Sequence, residues 1–259
     1  MYTVSVTRPS DWKDARIYIL SDLHIGDPNA DEHVISERIK QIADDPRGMV
    51  ILNGDIMNTA LKNSVSDVYG EKMTPMEQIN YAVTLLSPIK DKIIGADTGN
   101  HEYRIYKNDG IDTMRMVCKE LGVEKLYNPQ GLLIFVQLGQ RKRDKARPSP
   151  QMYSIYTTHG TGGGRKEGAK AIRLADMASI VDADIYVHSH SHLPMIMKER
   201  FNRVDVQHKV CYEVEKLFVN DSAALKYGGY GQAQEFKPAS ISSPVIHISG
   251  ELRDIKATL

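Results

Sequence analysis

Residues 16–24 read RIYILSDLH. A β-branched and aromatic run, Arg16 to Leu20, ends abruptly in Ser21-Asp22, as a buried strand does when it meets a polar turn. The same pattern recurs twice downstream. Met49 to Leu52 (MVIL) runs into Asn53-Gly54-Asp55, and Lys92 to Ala96 (KIIGA) runs into Asp97-Thr98-Gly99-Asn100. Between these runs the period changes. Residues 31–43 (DEHVISERIKQIA) place Val34, Ile35, Ile39 and Ile42 near helical spacing, with Asp31 and Glu32 suited to the first turn. Residues 75–87 carry a second helical pattern. Strand, polar turn and helix in alternation indicate an α/β architecture.

The second half continues in short strands. Leu132 to Leu138 (LLIFVQL) and Met152 to Thr158 (MYSIYTT) are joined by a basic, proline-containing connection. A helix is expected near 168–180 and a strand at Asp184 to Val187 (DIYV). From 204 onward, VDVQHKVCYEVEKLFV reads as paired strands, and 242–249 as a last strand. With no internal repeat, low-complexity stretch or linker, one domain over 1–259 is expected, its second half supplying a second sheet.

Composition narrows the function classes. The 259 residues hold 33 Lys+Arg against 33 Asp+Glu, with 41% hydrophobic and 25% charged residues, values of a folded globular chain rather than a disordered one. The 19 Gly show no collagen period, and the 2 cysteines, Cys118 and Cys211, cannot make a disulfide framework. Zero net charge gives no general pull toward nucleic acid or anionic membrane, so any grip on phosphate must be local. The first eight residues, MYTVSVTR, lack a signal-peptide pattern, and no apolar run is long enough for a bilayer span. A cytoplasmic protein with no membrane partner is expected.

Polar clusters stand just after the strands: Asp22-Leu23-His24, Gly54-Asp55, Gly99-Asn100-His101-Glu102, His159-Gly160 and His188-Ser189-His190-Ser191-His192. Groups that bind ligands in open α/β sheets sit there, beyond the carboxyl ends of the strands. Carboxylate, amide and imidazole donors together suit Mn, Fe, Co, Ni or Zn, and the lack of thiolate argues against a structural zinc finger. Each fragment alone is a weak signal. In 188–192, alternation would set three imidazoles on one face of an extended segment. All five clusters, in order and each after an apolar run, exceed what folding alone requires.

The series DLH, GD, GNHE, HG and SHSH, over residues 22–192, resembles the five signature blocks of the calcineurin-like metallophosphoesterase superfamily. The SDLHIG opening and the HGTGGGRKEGAK stretch are most similar to the stand-alone phosphoesterases of phages and prophages. The resemblance implies a four-layer α/β/β/α sandwich, two mixed sheets flanked by helices. Two divalent ions would lie at the sheet ends, manganese first, with Fe, Zn, Co or Ni as alternatives. It implies Asp22, His24 and His192 around one ion, Asn100, His159 and His190 around the other, and Asp55 between them.

The implied reaction is hydrolysis of a phosphoester, in particular a phosphodiester of a nucleotide or nucleic acid, by attack of a metal-bridging hydroxide. His101 would contact the phosphate and act as general acid, completing a catalytic set with Asp55 and Asn100, while Glu102 would orient the His101 ring. A phosphomonoesterase or protein phosphatase is the alternative. A non-catalytic scaffold of the same fold, like the retromer subunit of this superfamily, is a third reading; such proteins lose the catalytic His or several ligands, and this chain retains them.

Two departures matter. The protein Ser/Thr phosphatase branch carries GDxxDRG, but Asn58 stands at the acidic position here and no Arg follows, which argues against that branch. The last block normally begins with Gly, and here that place is Ser189. His188 is expected to be strand filler or a support for the ligands. For substrate contact the candidates are Arg104, Arg165 and Lys166. The run from Arg141 to Arg147 is either a phosphate-backbone contact or a solvated hairpin tip, and residues 56–74 form a polar insertion expected at the rim as a lid.

Overall fold

A computed structural model describes residues 1–64, 66–141, 149–162, 164, 166–233 and 235–259. Its first half alternates as expected: β1 (Thr3–Thr7), β2 (Asp14–Leu20), α1 (Glu32–Asp44), β3 (Gly48–Asn53), α2 (Pro75–Leu86), β4 (Ile93–Asp97), α3 (Asn100–Asp109) and α4 (Thr113–Glu120). Then follow β5 (Leu132–Leu138), β6 (Gln151–Thr157), α5 (Glu167–Ile180), β7 (Ile185–His188), β8 (Met195–Asp205), β9 (Val210–Asn220), α6 (Gly229–Ala233), β10 (Val245–Ser249) and β11 (Ile255–Thr258).

Local chemistry sets the helix starts. The Asp31 carboxylate accepts from the Val34 amide at the head of α1. Before α2, Thr74 and Glu77 cap each other's backbone and Pro75 takes the first turn, where its missing N–H costs nothing.

Two mixed sheets result. One has the order β11-β10-β2-β3-β4, the other β1-β5-β6-β7-β9-β8. In the first, β2, β3 and β4 are parallel, whereas β10 is antiparallel to both β2 and β11. The sheets pack face to face on a core that joins Ile17, Ile19, Met49 and Ile51 to Leu132, Ile134, Ile155 and Val187. The outer face of the five-stranded sheet, with Tyr18, Leu20, Val50 and Leu52, buries the apolar stripes of α1, α2 and α4. On the other side Tyr156, Tyr186 and Phe218 pack under Leu174 and Met177 of α5. This is the expected α/β/β/α sandwich. Strand β3 is buried on both faces, so its sequence is a continuous apolar run rather than an alternating one.

Some elements differ from the sequence reading. The hairpin expected from 204 onward begins at Met195, because polar Lys198, Glu199 and Arg200 lie on an exposed two-stranded extension that needs no apolar period. Helix α3 was not expected at all. It buries only Glu102 and Ile105, so its sequence carries almost no hydrophobic stripe.

The register places the site. Leu20 pairs with Leu52, and Asn53 with Asp97, so β2, β3 and β4 end nearly level. In the other sheet Thr157 pairs with Val187, so β6 and β7 end level too. Between the two rows lies Asn53, fully buried, with its side chain 2.7 Å from Thr157 Oγ1 and 2.6 Å from Ser189 Oγ. The orientation that satisfies every partner has the Asn53 amide nitrogen donating to Asp97 and its oxygen accepting from Ser189. Ser189 thus ties the sheets together as a glycine there could not.

Candidate metal centre

The loops after β2, β3, β4, β6 and β7 meet at one end of the sandwich. Their backbone is unusual. Eight described non-glycine residues have positive φ, and five of them are Asp22 (49°), His24 (48°), Asp55 (51°), His190 (62°) and His192 (53°). Each such residue costs on the order of 1–2 kcal/mol, so a cluster at sheet ends marks a functional constraint rather than a folding need. Backbone hydrogen bonds hold the turns in register: Asp22 N donates to Gly54 O (3.1 Å), His24 N to Asp55 O (3.1 Å) and Ser189 N to His159 O (3.1 Å).

Two glycines let the loops touch. A Cβ on Gly99 would stand 2.0 Å from Asp55 Oδ1, and one on Gly54 would stand 2.4 Å from the Gly99 nitrogen.

The side chains converge into overlapping groups. Asp22, His24 and His192 present ligand atoms all within 4.8 Å of one another, as do Asp55, His159 and His190, and likewise His24, Asp55 and His101. Asp22 Oδ1 is 3.1 Å from His192 Nε2, and Asp55 Oδ2 is 3.1 Å from His159 Nε2. His24 Nε2 and His192 Nε2 face each other at 3.3 Å. Asp55 and His24 each belong to two of the groups, and of the two only Asp55 offers a second ligand oxygen on the same carboxylate.

Among the described residues several of these buried atoms lack a well-aligned hydrogen bond: Asp22 Oδ1, His24 Nδ1 and His159 Nε2. Buried polar groups are normally satisfied, and carboxylate oxygens and ring nitrogens gathered this closely fit a cation. His159 supports this further. Its Nδ1–H donates to the Asn53 carbonyl at 2.7 Å, which turns Nε2 toward Asp55. Oxygen and imidazole donors without thiolate match a divalent transition metal. The residues fit such a site.

Electrostatics follow from burial and proximity. Burial holds the His24 ring down at about 3 and the His101 ring at about 4, the latter against the pull of Asp55. His159 goes the other way: burial opposes its charged form, but Asp55 and Asp22 raise it well above the usual histidine value. Burial acts against ionised Asp22 and Asp55 too, yet the surrounding imidazoles hold both below the ordinary carboxylate range.

Glu102 does not orient His101, contrary to the sequence reading. Its carboxylate accepts from the backbone N–H of Asp55 (3.0 Å), Met57 (2.9 Å) and Gly99 (3.1 Å), so both oxygens are spent stitching the second and third blocks together. Burial and the nearby Asp55 charge push Glu102 up to about 7. The His101 ring is held instead by the Asn58 carbonyl, which accepts from Nδ1 at 3.0 Å and turns Nε2 toward Asp55 Oδ2, 3.9 Å away. Neither role is legible in sequence, because a backbone carbonyl carries no residue signature.

The three-histidine expectation also changes. Strand β7 stops at His188, and left-handed turns at His190 and His192 swing those rings to the metal groups. His188 instead pairs through Nδ1 with the Asn220 side chain at 2.9 Å.

The remaining candidates scatter around the rim. Asn100 opens α3 and is exposed, and its side chain makes no hydrogen bond among the described residues. Arg104 is half-buried and donates to Ser66 Oγ at 3.1 Å. Lys166 is exposed at the start of α5. Arg165 lies outside the described residues, as do residues 142–147 of the basic run. Arg141, the first residue of that run, donates from its backbone N–H to the Ser149 carbonyl at the far end of the β5–β6 hairpin from His159.

The 56–74 segment is pinned rather than free. Gln78 Nε2 donates to Glu71 at 2.6 Å, Lys72 N donates to Gly26 O at 2.9 Å, and residues 56–60 are buried.

The calcineurin-like phosphoesterase family model matches residues 15–194, more than half of the chain. The chain belongs to the calcineurin-like phosphoesterase family. No curated protein matches it. Solved structures similar to it include a conserved uncharacterized protein of Streptococcus pneumoniae, described as a predicted phosphoesterase. That pair shares 14% identity over 95% of this chain and 97% of the other, with a TM-score of 0.37. Vacuolar Protein Sorting 29 of Cryptosporidium parvum is 15% identical over 96% and 97%, with a TM-score of 0.45. GAP50 of Plasmodium, described as the anchor in the inner membrane complex, is 12% identical over 94% and 83%, at 0.42. No helix among the described residues is long and apolar enough to cross a membrane.

Proposed function

We propose that this member of the family hydrolyses phosphodiesters, using two divalent ions. The observation that carries the reading is the gathering of buried Asp and His side chains into three overlapping groups, each with ligand atoms within 4.8 Å of one another, with His101 Nε2 turned toward Asp55. Asp22, His24 and His192 would hold one ion, Asn100, His159 and His190 the other, and Asp55 both. Bound there, divalent ions supply charge neutralisation on the phosphoryl oxygens and a water whose pKa falls toward neutrality.

The chain's own residues do the rest. Because the Asn58 carbonyl can only accept, His101 keeps its Nδ1 proton and offers Nε2 to the substrate. In the free protein burial keeps this ring neutral near pH 7. An anionic phosphate beside Nε2 favours the protonated form, which then donates to the leaving oxygen. Glu102 fixes the loops that carry Asp55 and His101, and Arg104 stands at the rim where an anionic substrate enters. The SDLHIG and HGTGGGRKEGAK stretches support a place among the stand-alone phage-type members. Pairing of β1 with β5 and of β10 with β2 supports one catalytic unit spanning 1–259.

The test is parallel turnover of bis(p-nitrophenyl) phosphate and p-nitrophenyl phosphate by manganese-loaded protein and by Asp55→Asn. Preference for the diester, abolished in Asp55→Asn together with metal binding, supports the reading. Preference for the monoester transfers it to the phosphomonoesterases. A protein that binds manganese and cleaves neither ester is a non-catalytic scaffold.

A further inference from the structure

Beside the metal-centre loops lies a cleft of about 250 Å³, walled by Gly162 and Gly164 after β6, Lys170 and Arg173 of α5, and His188 and Ser191 around the end of β7. It adjoins the candidate centre at Ser191, although none of the candidate ligands lines it. Ser191 stands between His190 and His192, and Lys170 Nζ donates to the Ser191 carbonyl at 2.7 Å. One residue of chain therefore separates this cleft from two candidate ligands, a span of under about 4 Å between neighbouring Cα atoms.

Its chemistry is that of an anion site. Two cationic side chains and two hydroxyls, those of Thr161 and Ser191, line it together with His188, and among the described residues no carboxylate does. Arg173 is exposed and has no ion-pair partner among the described residues. Its guanidinium lies over Gly162, where a Cβ would stand 3.2 Å from a terminal nitrogen. The Ser191 hydroxyl oxygen is buried and has no hydrogen-bond partner among the described residues. The loop that forms the floor is kept bare: a Cβ on Gly160 would stand 2.0 Å from His188 Nε2. Gly160 and Gly162 both have positive φ, at 93° and 104°, which excludes most side chains.

The geometry points to a subsite for a second phosphate, the neighbour of the scissile one, held by Arg173, Lys170 and Ser191. This rests on the phosphoesterase reading and sharpens it: the preferred substrate carries adjacent phosphates. A guanidinium makes charge-assisted, forked contacts to phosphate oxygens, and the partnerless hydroxyl adds a further donor. Lys170 both reaches the phosphate and props the Ser191 carbonyl, so the informative substitution is at Arg173.

Binding is the readout, measured calorimetrically with manganese on a His101→Ala background, where turnover is slowed. The ligands are the dinucleotide TpT, with one phosphate, and the trinucleotide TpTpT, with two. Inorganic phosphate against pyrophosphate gives a second pair. The two-phosphate member of a pair is expected to bind about tenfold or more tightly, an advantage that Arg173→Gln removes and Arg173→Lys partly restores. Loss confined to the nucleotide pair identifies a phosphodiester chain as the natural source of the second phosphate, and loss confined to the inorganic pair identifies a phosphoanhydride. No advantage in the unmutated cleft, or an advantage indifferent to Arg173, overturns the subsite. An Arg173-dependent advantage in a protein that cleaves no ester would instead leave the subsite standing and remove the phosphoesterase reading.

Discussion

Replacing Gly99 by alanine tests the centre without touching any candidate ligand. The backbone there, at φ −87° and ψ 178°, is open to any L residue, so the change introduces no torsional strain. What it introduces is a methyl group 2.0 Å from Asp55 Oδ1, 2.2 Å from Asp55 N and 2.6 Å from Asp55 Cγ. Restoring ordinary contact requires the Asp55 backbone and carboxylate together to retreat by more than about 1 Å, and overpacking of this kind costs about 1–3 kcal/mol. The retreat also weakens the bond that Asp55 Oδ1 accepts from His101 N, now 2.8 Å. For a chain of this size each kcal/mol lowers Tm by about 2–4 °C, so a fall of roughly 2–12 °C is expected.

The larger effect is expected on metal binding. Misplacing a shared ligand by about 1 Å should reduce manganese affinity at least tenfold and turnover by about a hundredfold. Gly110→Ala is the control. Gly110 has φ +71°, so alanine is strained by about 1–2 kcal/mol, but a Cβ there meets nothing within 4 Å. Calorimetric manganese titration and thermal melts on both variants separate the two effects. If Gly99→Ala binds manganese as well as Gly110→Ala does, Asp55 is not a metal ligand.

Glu102→Gln should lower Tm and manganese affinity together, because an amide nitrogen would face at least one of the three backbone N–H groups now bound, at a cost of about 1–3 kcal/mol each. Reduced turnover with metal affinity intact would return Glu102 to the role of ring orienter. His101→Ala should keep metal affinity near that of the unmutated protein and slow turnover by about 10²–10⁴-fold; loss of metal would make His101 a ligand.

Asp221, fully buried with Ser21 Oγ and Ser243 Oγ as donors, is pushed up to about 6 by burial. Its folded pKa lies above the unfolded value of about 3.9, so its contribution to stability is complete below that value and is lost as pH rises through 6. Asp221→Asn should therefore gain on the unmutated protein by about 2 kcal/mol between pH 4 and pH 7. A difference in Tm that stays flat over that range contradicts the assignment.

How much could be read in advance depended on the kind of interaction. The strands Arg16–Leu20, Met49–Leu52 and Leu132–Leu138 were legible because burial writes itself into apolar runs, and the helix from Glu32 because its stripe repeats at 3.6 residues. Helix α3 was hidden because its buried face is one carboxylate and one isoleucine. The His and Asp of the five blocks announced a metal centre by residue type alone.

The sequence by itself determined the α/β alternation, the family and the donor set, since each is carried by residue identity and local spacing. Tertiary structure decided which donors meet, which carbonyl holds His101, what Glu102 is for, and that Arg173 and Lys170 overlook the same loops. Those facts depend on backbone groups and on left-handed turns that bring together residues far apart in the chain. No local pattern encodes a hydrogen bond to a carbonyl or the approach of two loops across a sandwich.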